Sequence, residues 1–106
     1  MRAVESIVAA IARVTNLLRE GRIDEARSEL ERAYSGQLGI PLAMLNRLDA
    51  TSAVTVLGPH RAALLLDLLR AEVALHQASS DAKAERRVLL RIRNIEHLIA
   101  PARESA

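Results

Sequence analysis

Between Pro59 and Ala78 the chain reads PHRAALLLDLLRAEVALHQA, and this stretch limits the possible folds more than any other. At about 100° per residue, Leu64, Leu68, Ala71 and Leu75 form one apolar row of a helix, while Ala62, Leu65, Leu66, Leu69 and Val73 form a second row on another side. Polar positions separate the rows: Asp67, Arg70 and Gln77 lie in one seam, Arg61, Glu72 and His76 in the other. A surface helix carries one apolar stripe, so a helix with two is expected between partners, at the centre of a core. Gly58-Pro59 marks its start, since a proline in the first turn loses no helical hydrogen bond. Ser79-Ser80-Asp81 marks its end and can cap the next helix. Asp67, Arg70 and Glu72 interrupt the apolar run, which argues for a core helix over a membrane span.

A core around such a helix has to be aliphatic, because aromatic residues make up 1% of the 106 residues, as the single Tyr34. Leu, Ile, Val and Ala suit helix packed on helix, so an all-α fold is expected, with one domain over residues 1–100 and a frayed tail over 101–106. The lack of cysteine excludes disulfides, a thiolate nucleophile and Cys-type zinc sites, and fits a reducing compartment. Glu5 and Arg13 break the apolar start of the chain as they would in an amphipathic helix rather than a signal peptide, so a cytoplasmic location is expected.

The flanking segments are helical in pattern. From about Ala3 to Glu20, the residues Val4, Ile7, Val8, Ile11, Val14, Thr15 and Leu18 share one face, and Gly21 ends the helix. A second helix from about Ile23 or Asp24 to Tyr34 buries Ile23, Ala26, Leu30, Ala33 and Tyr34, with Arg27 placed to pair with Glu31 one turn on. The short turn makes these two an antiparallel hairpin. Ser35 to Gly39 reads as a loop, Pro41 opens a short helix, PLAMLNRL, and Asp49, Thr51 or Ser52 caps another short piece, SAVTVLG. A last helix runs from Asp81 to about Ala100 with Ala84, Val88, Ile92, Ile95 and Ile99 as its buried stripe, stopped by Pro101.

At Leu17-Leu18-Arg19-Glu20-Gly21-Arg22-Ile23-Asp24-Glu25-Ala26 and on through Leu30, Ala33 and Tyr34, the chain resembles the turn and second helix of a tetratricopeptide repeat. An echo lies 58 residues on, where Leu75, Ser79, Ala84, Val88 and Ile92 match Leu17, Gly21, Ala26, Leu30 and Tyr34. That spacing exceeds the repeat's usual length of about 34 residues, so PLAMLNRL and SAVTVLG would be inserted between two hairpins. The whole is similar to small bacterial proteins of tetratricopeptide-like fold. The resemblance implies antiparallel helical hairpins, five to six helices around the buried 59–78 helix, and a scaffold for protein contacts without catalytic residues.

The residues agree with a non-catalytic role. His60, His76 and His97 are more than a turn apart, and no pair has the spacing of three or four that a helical metal site needs, so no metal is expected. Glu72 and His76, one turn apart in the seam that also holds Arg61, could do acid and base work, but a structural ion pair is the better reading. No phosphate loop, nucleophile elbow or carboxylate cluster is present, so neither enzyme activity nor an organic cofactor is expected.

Charge is segregated by helix beneath a net charge of +2. Lys83 to Arg93 holds five basic residues against Glu85, and Glu20 to Glu31 holds five acids against Arg22 and Arg27. On the last helix, Leu90 falls opposite the buried stripe among Arg86, Arg93 and His97, and Leu98 falls at a flank with Arg87, Arg91 and Asn94. Arg86, Leu90, Arg93, His97, Arg87, Arg91 and Leu98 are therefore the expected interaction surface, for a second copy in a homodimer or for another protein. Its basic residues could instead follow a nucleic-acid backbone, although no stacking aromatic residue accompanies them.

Overall fold

A computed structural model describes residues 2–105, with the side chains of residues 7–99. The described residues form five α-helices and no strand: α1 (Arg2–Arg19), α2 (Ile23–Leu38), α3 (Leu42–Leu45), α4 (Ala50–Ala78) and α5 (Ala82–Ser105). α1 packs on α2, α4 packs on α5, α2 and α1, and α3 adjoins α2. α4 is the one helix that α5 packs against extensively among the described residues.

α1 buries Ile7, Ala10 and Val14, whereas Val8, expected on the covered face, is 62% exposed. Thr15 is exposed as well, and its hydroxyl donates to the Ile11 carbonyl. The apolar arc is wider than the area that α2 and α4 cover, and the covered part is turned toward Ala10 and the half-buried Leu17. Val4 and Glu5 lie outside the described side chains.

α2 runs four residues beyond the expected Tyr34, so most of the expected loop is the helix's last turn. It ends at Gly39, whose N–H bonds to the Ser35 carbonyl. Leu38 and Ile40 are buried, and this apolar anchor carries the helix through Gly36. Arg27 and Glu31 do not pair. Glu29 instead takes both Arg13 from α1 and Arg32.

The SAVTVLG piece and the 59–78 helix join as α4 across a break. Gly58 has φ 82° and ψ 166°, a region closed to side chains with a Cβ, and Pro59 cannot donate a backbone hydrogen bond. Arg61 supplies hydrogen-bond donors both beside this break and at the end of α2. Its Nε donates to the Leu57 carbonyl (2.9 Å) and its Nη1 to the Leu38 carbonyl at the end of α2 (3.0 Å). Of the three expected caps, Asp49 is the one used: its carboxylate accepts from the Ser52 N–H at 2.7 Å, which lowers its pKa.

Both apolar rows of the 59–78 segment are covered: Ala62, Leu64, Leu65, Leu66, Leu68, Leu69 and Leu75 are buried. By length and composition α4 is apolar enough to cross a membrane, with mean hydropathy 1.2 over its most apolar window, of which 44% is buried within the fold. α5 buries the five expected residues, Ala84, Val88, Ile92, Ile95 and Ile99. It starts on Asp81, whose carboxylate accepts from the Ala84 N–H at 3.1 Å. It then runs through Pro101, the expected stop, to Ser105. A proline forfeits one backbone bond, and the helix continues across that loss.

Candidate functional site

Two adjoining regions along α5 carry the chemistry. The first is built on Glu72 and His76, which α4 presents one turn apart. The Tyr34 hydroxyl donates from α2 to Glu72 Oε1 at 2.5 Å, and His76 Nε2 lies 3.1 Å from Glu72 Oε2. Tyr34 is fully buried. Burial first, and then the Glu72 carboxylate and the hydrogen bond to it, hold the phenol well above its ordinary pKa of 10.0, with Arg91 opposing. Tyr34 thus stays a proton donor across the neutral range. Arg61, expected in this trio, is instead engaged at the Gly58 break.

Beside Glu72 and His76 lies a cleft of about 340 Å³ between α4, α5 and the residue after α3, Asn46. Its base is apolar, from Leu69, Ala84 and Val88, all buried. Arg87 and Arg91 line it from α5. Arg91 is half-buried, and its Nη2 donates to the Leu45 carbonyl at 2.9 Å, satisfying the end of α3. Arg87 is exposed and has no carboxylate within ion-pair distance among the described residues.

The second region is the outward face of α5. Arg86, Leu90, Arg93 and His97 are all exposed there, Leu90 at 57%. Leu98 is 41% exposed at the flank, and Leu89, which the sequence reading passed over, is 45% exposed at the other flank. Its signal was the wheel position between the buried stripe and the arginines. The seven expected surface residues therefore divide: Arg86, Leu90, Arg93 and His97 face outward, Leu98 stands at an edge, and Arg87 and Arg91 turn to the cleft. No carboxylate among the described residues pairs with Arg86 or Arg93 either, since Glu96 takes Arg70 and Glu85 accepts from Gln77.

The complementary acidic segment is less free than its composition implies, because Glu20 and Glu25 share Arg22 while Glu29 is held by Arg13 and Arg32. No group of three or more His, Cys, Asp or Glu among the described residues could hold a metal ion. Compared with known proteins, the chain matches no family model, no curated protein and no solved structure.

Proposed function

We propose that this chain is a non-catalytic protein-interaction or scaffold module that self-associates as a homodimer through the outward face of α5. In this reading its two hairpins stack in a tetratricopeptide-like manner around the 59–78 helix, and it works in the cytoplasm. The observation that carries the reading is the trio Leu89, Leu90 and Leu98, large apolar side chains exposed on one helix among arginines without acidic partners. Leu90 at the middle of the face, with Leu89 and Leu98 at its two edges and cationic residues between them, suits the mixed apolar and charged make-up of a protein contact. α2 and α5 each pack on α4 and not extensively on each other, so the exposed acids Asp24 and Glu31 are left to meet those arginines in a second copy. Light scattering at micromolar concentration tests it: a dimer is expected, and Leu90→Glu should return a monomer that melts like the parent. A monomeric parent, or a variant that stays dimeric, removes this face from the interface.

The exposed Arg86 and Arg93 also support a second reading, a nucleic-acid-associated regulatory protein using the same face. Binding to labelled DNA or RNA that falls steeply with salt would favour it. The leucines between the arginines favour protein over phosphate.

A further inference from the structure

We propose that the cleft between α4 and α5 is a binding site for a small organic anion, with a carboxylate or phosphate head and a short apolar body. Its volume of about 340 Å³ lies at the lower end of small-molecule sites, and it has their composition, an apolar base with a few polar groups above it. Three features fix the sign of the ligand. Arg87 and Arg91 are four residues apart on α5, so both guanidinium groups serve one face of the helix. Arg91 is anchored by its Nη2 bond to the Leu45 carbonyl, which orients the fork while leaving further N–H groups free. Glu72, the one acid of the cleft, has one oxygen engaged by the Tyr34 hydroxyl and the other by His76, and neither arginine is within ion-pair distance of it, so the two guanidinium charges outnumber the single carboxylate.

The anion head would sit between Arg87 and Arg91 in charge-assisted hydrogen bonds, with Asn46 as a neutral partner beside it. The apolar body would lie on Leu69 and Val88. This site borders the outward face of α5 but uses other side chains, since Arg87 and Arg91 line the cleft and Arg86, Leu90, Arg93 and His97 do not.

Titration calorimetry at low salt with benzoate and with phenyl phosphate tests the proposal and distinguishes the two heads. Saturable binding of at least one probe, at a dissociation constant of about 1 mM or tighter, is expected. Arg87→Gln, at an exposed position whose guanidinium makes no ion pair among the described residues, should weaken it about tenfold. Arg86→Gln, which deletes the same charge on the outward face, should change it less than about twofold, since an exposed charge at a distance acts only through a screened field. Absence of saturation with both probes up to about 20 mM, or equal weakening by the two variants, would overturn the site. Matching melting curves for both variants and the parent exclude misfolding as the cause.

Discussion

The two long hairpins, α1 with α2 and α4 with α5, reverse direction by the same device and finish their surfaces in different ways. At the first turn the Arg22 N–H bonds to the Leu17 carbonyl and the Gly21 N–H to the Leu18 carbonyl. At the second, the Asp81 N–H bonds to the His76 carbonyl and the Ser80 N–H to the Gln77 carbonyl. Both are the paired closure of a left-handed helix end, with Gly21 at φ 74° and Ser80 at φ 58°. Beyond the turns the hairpins diverge. The first pairs part of its charge within itself, through Arg22 with Glu20 and Glu25 and through the Arg13, Glu29 and Arg32 group, and leaves the acids Asp24 and Glu31 without an ion-pair partner among the described residues. The second leaves Arg86, Arg87 and Arg93 unpaired among the described residues and leaves three leucines exposed. Exposed ion pairs add little stability, so the difference concerns what each surface is available to bind.

The largest effects should come from the segment that serves both hairpins. Leu68 is fully buried and Leu69 nearly so, and an aspartate at either position would carry a charge into the aliphatic core. Leu68→Asp and Leu69→Asp should each cost about 4 kcal/mol or more, read as a collapse of the urea midpoint. Val8→Asp serves as the contrast, with an effect within about 0.5 kcal/mol because that site is open to water. Parent-like melting of either leucine variant would mean that one side of the 59–78 segment is uncovered.

A smaller effect is expected where the hairpins are tied by Tyr34 and Glu72. Tyr34→Phe deletes the donor to Glu72 Oε1 and should cost about 1–2 kcal/mol near neutral pH. The phenol also predicts a pH dependence. Its pKa is raised in the folded chain, so above the unfolded value near 10.0 the folded state binds the extra proton, and stability falls as pH rises from there. The contribution is fully present below that pH. The parent should therefore lose stability above about pH 10 more steeply than Tyr34→Phe. As the chain has a single tyrosine, its phenolate absorbance reports the same event directly. A Tyr34 that ionises like a free phenol would contradict its burial against Glu72.

How much of this was legible in the sequence depended on whether a residue's role was local. The helix starts at Asp49 and Asp81, the left-handed Gly21, the break at Gly58-Pro59 and the α5 stripe all follow from short-range patterns, and each was readable. The partners of arginines were not. Arg61 shares a seam with Glu72 and His76 on the wheel, yet the open carbonyls at Gly58 and at the end of α2 lie nearer, and a long guanidinium takes the donors' task there. Arg91 likewise left the expected surface to satisfy the Leu45 carbonyl. Val8 failed for a related reason: a wheel gives the width of an apolar arc, and only neighbours decide how much of it is covered. The echo between hairpins was off by one at the turn. Buried positions repeat at 58 residues, from Ala26, Leu30 and Tyr34 to Ala84, Val88 and Ile92, whereas the left-handed residues, Gly21 and Ser80, are 59 apart. One residue fewer between turn and stripe rotates α5 by about 100° relative to α2, and this rotation sets which residues face outward.

The smallest effects test the shared turn itself. Gly21 and Ser80 hold equivalent positions, but only glycine adopts that backbone without strain. A Cβ added at Gly21 would meet nothing within 4 Å, so the cost of Gly21→Ala is conformational alone, about 1 kcal/mol. Ser80→Gly runs the exchange in reverse. It removes a similar strain and returns part of the gain as the greater freedom of glycine in the unfolded chain, leaving about 0.5 kcal/mol of added stability. Urea denaturation of the two variants side by side should therefore show shifts of opposite sign, the first larger. Shifts of the same sign would mean that the two turns, alike in their hydrogen bonds, are not alike in what their left-handed residue contributes.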